Sequence, residues 1–441
     1  MSSDRIVVGV DIGTTKVCAI VASATAGGRV DVLGVGMAES DGLTRGVVTN
    51  IDRTVAAVQK AVREAERGAG IEVRRVVVGI AGDHIHSDQS RGVITVSNRN
   101  REITEEDVKR LLDDTKQVAI PPDREILHVI PQEFIVDGQD GVADPVGMSG
   151  VRLEASVHVV TGLVSAVKNI YRCIEKAGYE VADIVLEPLA SSYAVLHPDE
   201  KEVGVALVDI GGGTTDIVVF EDQTIRHTSV IAVAGNRVTE DIRKGLGVMR
   251  DQAERLKHLF GTAMVDLAST DDFITIPGIA GRPEKHISLT TLAQVIQPRM
   301  EEILEIVHNE IRRGGYSSRH LSAGVVLTGG GSLIPGTAEL AADILGVEAR
   351  IGAPMGLGGG LVAEVTDPKF ATSVGLVLYA LRPEAVGGTA INLEMGRPIA
   401  AATTAATDAP SDVDAETEAD AGADNLFARL TTRMRSWFDD L

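Results

Sequence analysis

Two α/β lobes of similar construction, the first carrying an inserted small α+β subdomain, then an acidic linker and a C-terminal amphipathic helix, are the architecture this sequence predicts. Three observations predict it. The turn Val10-Asp11-Ile12-Gly13-Thr14-Thr15 recurs as Val208-Asp209-Ile210-Gly211-Gly212-Gly213-Thr214-Thr215, each copy between two apolar runs, as in a duplicated unit. Strand-like and helical apolar spacings alternate around both copies, the mark of an α/β protein. At 441 residues the chain also exceeds the roughly 250–300 at which a single core stops growing.

In chain order, the apolar runs 6–10 and 17–21 flank the first turn and read as a hairpin. Residues 52–67 place Val55, Ala56, Val58, Ala61, Val62 and Ala65 near helical spacing, and 76–80 reads as a buried strand. Residues 84–162 break that rhythm: Thr104 caps a helix, and 126–136 and 151–160 read as strands, hence the inserted subdomain. A helix at 165–176, a strand at 183–186 and a helix at 189–196 lead to the second strand-turn-strand at 203–220. Residues 233–259 and 289–313 read as mostly helical, and 324–328 as a strand entering a glycine-rich turn.

The organisation that follows is a first lobe from 1–83 and 163–197, the insert at 84–162, a second lobe from 198–232 and 322–384, and a helical subdomain at 233–321. Beyond it, 385–424 is rich in Ala, Thr, Asp and Glu and nearly free of large apolar residues, which predicts a self-repelling, disordered linker.

A formal charge of -21 repels a phosphate backbone, so nucleic acid is excluded as the expected partner. Two cysteines, Cys18 and Cys173, stand alone in apolar runs and suit buried thiols in a reducing compartment. The opening residues lack the basic and apolar regions of a secretory signal, and no apolar run approaches the roughly 20 residues of a spanning helix, so a cytoplasmic protein with at most peripheral membrane contact is expected.

The two turns carry the first chemistry. Backbone N–H groups around a glycine-containing loop cradle phosphate oxygens, and glycine permits close approach. The hydroxyls of Thr14, Thr15, Thr214 and Thr215 add donors, Lys16 adds positive charge, and Asp11 and Asp209 suit a hydrated Mg²⁺, which takes few carboxylates and several waters. Neither is a Walker loop. One isolated Asp-x-Gly-Thr reads first as a tight hairpin, but two copies and a third element, Leu327-Thr328-Gly329-Gly330-Gly331-Ser332-Leu333-Ile334-Pro335-Gly336, which follows a strand and is expected to open a helix where a base or phosphate packs on bare backbone, favour phosphate binding.

The order of these three turns resembles the actin, heat-shock chaperone and sugar kinase superfamily, whose actin-like lobes are repeated ribonuclease H-like units, over residues 6–382. The resemblance implies ATP and Mg²⁺ between the lobes. It implies phosphate and nucleotide contacts from Asp11, Gly13, Thr14, Thr15 and Lys16; from Gly211, Gly212, Gly213, Thr214, Thr215 and Asp216; from Gly235 and Asn236; and from Gly329, Gly330, Gly331 and Ser332. It puts Glu187 in the first interlobe connection and 371–379 in the second, and assigns Glu254 and Lys257 to ribose and base, where spacing alone favours an exposed salt bridge. If hydrolysis occurs, Glu187 and Asp209 are the residues to orient water.

Within the superfamily, 203–220, 233–239 and 368–376 resemble the FtsA family of bacterial cell-division proteins, as does the placing of the insert ahead of the second turn. Ala234 departs from it, standing where a second glycine is expected. The resemblance implies a filament-forming protein, at most a weak ATPase, on the inner face of the plasma membrane at the division site. Its implied partners are FtsZ through the FtsZ C-terminal peptide, copies of itself, other divisome proteins and anionic lipids. A small-molecule kinase, a pilus-assembly actin homologue and a chaperone ATPase are the alternatives.

The end of the chain discriminates among them. In 425–441, Leu426, Phe427, Leu430, Met434, Trp437, Phe438 and Leu441 fall within about 120° of a helical wheel, with Arg429 and Arg433 along one edge. Such a face fits a groove on the protein or a partner. The basic flank, the aromatic content and the long acidic tether favour an interfacial membrane helix instead.

Overall fold

The computed structural model describes residues 5–25, 29–97, 100–116, 120–276, 283–381 and 396–398. The first sheet has six strands in the order Glu180–Leu186, Arg75–Ile80, Arg5–Ile12, Lys16–Ala24, Val30–Glu39, Gly359–Gly360. Arg5–Ile12, Lys16–Ala24 and Val30–Glu39 form an antiparallel meander, and Arg75–Ile80 and Glu180–Leu186 extend it in parallel.

The second sheet repeats that plan. Val205–Ile210, Thr215–Glu221 and Thr224–Ile231 make the meander, and Val325–Thr328 and Ala349–Ile351 add in parallel on its other side. Val205–Ile210 is buried along its whole length because both faces of the sheet are covered, which is why it reads as one apolar run. The repeated turn is therefore the visible trace of a repeated topology.

The insert is a four-stranded antiparallel sheet, ordered Gln139–Val142, Arg124–Val136, Arg152–Leu163, His86–Thr95, with the helix Glu105–Thr115 over it. Thr104 and Asp107 cap that helix reciprocally. Leu111, Phe134, Leu153 and Val157 give the insert its own core. The strand His86–Thr95 is absent from the sequence reading, since Asp88, Gln89 and Arg91 lie exposed along it and no apolar alternation marks it.

The third glycine element follows the strand Val325–Thr328, includes the short 3-10 turn Gly330–Leu333 and opens the helix Thr337–Leu345 directly after Gly336, as expected. Other expectations are corrected. Val203 ends the helix Pro198–Val203 rather than starting a strand. The region from 233 is mostly helical, as expected, in two helices: Gly247, whose φ of 63° ends Gly235–Leu246, separates it from Arg250–Phe260.

Ala371–Leu381, assigned to the second lobe, buries Val374, Leu376 and Val377 in the core of the first, and Gly359–Gly360 pairs with the strand at Asp31 and Val32. Within the expected linker, Gly396–Pro398 pairs antiparallel with the short strand Ile71–Val73 as a two-stranded sheet. The rest of the linker and the helix at 425–441, with all its proposed membrane residues, lie outside the described residues.

Cys18 and Cys173 are free and buried. Among the described residues no helix is long and apolar enough to cross a membrane.

Candidate functional site

The two repeated turns face each other. A Cβ added to Gly212 would stand 2.4 Å from Thr15 Cγ2, and one on Gly213 2.5 Å from Thr14 Oγ1, so each turn offers bare backbone where the other offers a threonine. Between and beside them is a cleft of about 260 Å³, walled also by Gly235 and Asn236, by Glu254 and Lys257, and by Gly329, Gly330 and Gly331. A Cβ on Gly330 would meet nothing within 4 Å. That backbone borders open space.

Four carboxylates, Asp11, Glu187, Asp209 and Asp216, line the cleft. Burial and the neighbouring charges of Asp11, Asp216 and Asp209 push Glu187 well above the usual carboxylate range. Burial and Asp209 do the same to Asp216, and burial holds Asp209 up at about 6. Asp11 is raised by burial, partly offset by Lys16, whose Nζ lies 3.8 Å away. That ammonium also donates to the Lys369 carbonyl at 2.6 Å.

This charge balance tests whether a cation fits. Asp216 Oδ1 is buried with no hydrogen-bond partner, and of the lysines lining the cleft Lys16 alone is ion-paired to one of the four carboxylates, Asp11, which leaves excess negative charge around them, a setting that favours a bound cation. Among the described residues no three carboxylate, imidazole or thiol groups converge closely enough to coordinate an ion directly. A Mg²⁺ held largely through water fits both facts.

Two aspartates are anchored from outside the turns. Asp209 Oδ2 accepts from Ser191 Oγ at 3.0 Å and Thr372 Oγ1 at 3.2 Å, and Asp11 Oδ2 accepts from Ser373 Oγ at 3.2 Å. On the opposite wall Lys257 is buried, its Nζ donating to Thr239 Oγ1 at 2.9 Å, Glu254 Oε2 at 2.9 Å and the Gly235 carbonyl at 3.3 Å. Burial pushes the Glu254 carboxyl up, but His258, Lys257 and Thr239 outweigh it and hold it at about 2. The pair is thus no free surface salt bridge.

Known proteins resemble this chain in sequence and in fold. The family model described as cell division protein FtsA matches residues 206–375, and that described as the SHS2 domain inserted in FtsA matches 82–161. Cell division protein FtsA of Pseudomonas aeruginosa is 46% identical over 387 residues, covering 88% of this chain and 92% of that protein. The chain belongs to the FtsA family.

FtsA of Bacillus subtilis is 40% identical over 395 residues, covering 90% of this chain and 88% of that protein. Among solved structures, a chain of the PilM-PilN type IV pilus biogenesis complex aligns with a TM-score of 0.61 at 17% identity, over 86% of this chain and 99% of that one. MreB5 of Spiroplasma citri bound to ADP aligns at 0.51 and 15% identity, over 85% and 96%. These two show the actin-like fold. The FtsA relatives decide among its users: this is a cell-division protein rather than a kinase, pilus or chaperone component.

Of the residues expected at the nucleotide, the cleft gathers most but not all. Thr215 is fully buried with its hydroxyl on the Val233 carbonyl, and Ser332 donates to the Gly329 carbonyl; neither lines the cleft. Ala234 is accommodated because its backbone is extended, and Gly235 N–H still reaches the Gly211 carbonyl at 3.1 Å. His258, Lys369 and Thr372 line the cleft unforeseen. The only sequence signal for the anchoring hydroxyls is polar residues at 191–192 and 372–373 within otherwise apolar helices.

Proposed function

We propose that this FtsA-family protein binds ATP with Mg²⁺ in the cleft, assembles with copies of itself, and holds FtsZ at the inner face of the plasma membrane, where it recruits other divisome proteins. The observation that carries the reading is the pair of glycine turns closing on a carboxylate cluster that Lys16 ion-pairs at Asp11.

On this reading backbone N–H groups of 14–16 and 212–214 hold phosphates, Glu254 and Lys257 serve ribose and base, and the open backbone at Gly330 lies beside the nucleotide. Bound Mg²⁺ supplies positive charge that offsets the carboxylates and phosphates. Glu187 and Asp209 are the groups to orient water, and hydrolysis is at most slow. MreB5 of Spiroplasma citri, which shares the fold, was solved with ADP and with AMPPNP.

The present contact of Thr14 and Thr15 with Gly213 and Gly212 leaves a cleft below the roughly 300–1,000 Å³ of ordinary ligand sites, so the lobes part to admit nucleotide. ATP then acts as a conformational ligand favouring one lobe angle, the one that assembles. Membrane attachment is assigned to 425–441, and several weak helices in one polymer give the avidity a single short helix lacks.

Replacing Gly330 with alanine tests the cleft. The new Cβ meets no protein atom, so the melting temperature stays at the wild-type value while ATP affinity falls at least tenfold. Wild-type affinity in Gly330→Ala contradicts the reading.

A further inference from the structure

We propose that Ser191, Thr372 and Ser373 are positioning residues: they form a hydroxyl clasp at the crossing of the two interlobe helices that sets the turn aspartates Asp209 and Asp11 for the cation. This rests on the reading of the cleft as a Mg²⁺-ATP site and adds to it a link between cation and lobe angle.

Serine and threonine within a helix ordinarily return their hydroxyls to a carbonyl of the preceding turn. Ser192 does so, donating to the Leu189 carbonyl at 2.8 Å. Its neighbour Ser191, on Glu187–Val195, leaves its own helix for Asp209 Oδ2 at 3.0 Å. Thr372, on Ala371–Leu381, reaches the same oxygen at 3.2 Å, and the two hydroxyls lie 3.0 Å apart. The three oxygens form a triangle whose corners belong to two connecting helices and one phosphate turn.

Asp11 is held in the same fashion, with Ser373 Oγ at 3.2 Å from its Oδ2. In each turn one carboxylate oxygen is tied to the crossing and the other faces glycine: a Cβ on Gly329 would stand 2.2 Å from Asp209 Oδ1, and one on Gly13 3.8 Å from Asp11 Oδ1. Ser191 and Ser373 are fully buried and Thr372 is 7% exposed, so no bulk water substitutes for these bonds.

Geometry makes the clasp sensitive to lobe rotation. A hydrogen bond weakens steeply with misalignment, and Asp209 needs donors from both helices at once. Turning one helix against the other separates Ser191 from Thr372 and releases Asp209 Oδ2. Conversely, a cation that fixes the two aspartates favours the helix crossing at which the clasp is closed.

The test compares ATP affinity of the full chain in Mg²⁺ and in EDTA for wild type, Ser191→Ala/Ser373→Ala and Thr372→Ser. The double variant, whose two serines are buried and do not line the cleft, should bind ATP in EDTA within about twofold of wild type but lose roughly tenfold of the Mg²⁺-dependent gain, and Thr372→Ser should retain that gain. Equal losses in Mg²⁺ and EDTA, or an undiminished Mg²⁺ gain, overturn the clasp. If the double variant does not fold, Ser191→Ala and Ser373→Ala taken singly carry the same comparison at Asp209 and at Asp11. A wild-type protein that binds no ATP at all overturns the underlying reading of the cleft instead.

Discussion

A Cβ placed on Gly375 would stand 2.0 Å from the carbonyl oxygen of Ala190, so the two helices connecting the lobes cross backbone against backbone. That contact sets the spacing at which Ser191 and Thr372 meet.

Replacing Gly375 with alanine should push the helices apart and destabilise the protein by about 1–3 kcal/mol, the usual cost of overpacking a filled interior. Chemical denaturation reads it as a lower midpoint at unchanged slope. An unaltered midpoint would mean the crossing yields freely.

Lys257 sits among Glu254, Thr239 and the Gly235 carbonyl. Lys257→Met should keep the aliphatic packing, leave Glu254 without its ammonium, and lower ATP affinity at least tenfold. Fluorescent-nucleotide titration measures the loss, with circular dichroism reporting the fold.

Asp216 carries a buried oxygen with no partner, and burial with Asp209 raises its carboxyl well above the usual range. A raised folded-state value means nucleotide-free stability declines as pH rises from about 4 towards that value. Asp216→Asn should therefore raise the melting temperature of the metal-free protein at neutral pH while weakening Mg²⁺-dependent ATP binding. A lower melting temperature without metal would argue against uncompensated charge.

His158 gives the opposite slope. Burial, with a smaller contribution from His227, lowers its imidazole to about 4, and its Nε2 meets Thr228 Oγ1 at 2.9 Å between the insert and the second sheet. A depressed histidine costs nothing above pH 6.5, and stability is lost as pH falls from 6.5 towards 4, by on the order of 3 kcal/mol. Denaturation midpoints across that window check it, and His158→Gln should flatten the decline.

How far the residues alone revealed this molecule depended on the physical signal each element leaves. The turns at Asp11 and Asp209 were legible because glycine, threonine and aspartate between buried strands are a local pattern with one structural use. The helix Leu289–Arg313 showed itself by apolar period. The strand His86–Thr95 left no trace because its polar side chains face solvent, and the clasp left little because Ser191 and Thr372 are 181 positions apart in sequence and meet only when the helices cross. Likewise, nothing in the composition of the linker marks Gly396–Pro398, whose pairing depends on the distant strand Ile71–Val73.

Co-sedimentation of the full chain with anionic vesicles, with and without Mg²⁺-ATP, tests the central claim that one chain joins a nucleotide cleft to a membrane anchor. The account predicts that the protein pellets with vesicles, that Mg²⁺-ATP increases the pelleted fraction, and that removing 425–441 abolishes it. Protein that stays in the supernatant in both nucleotide states, or that pellets equally well without 425–441, would contradict it.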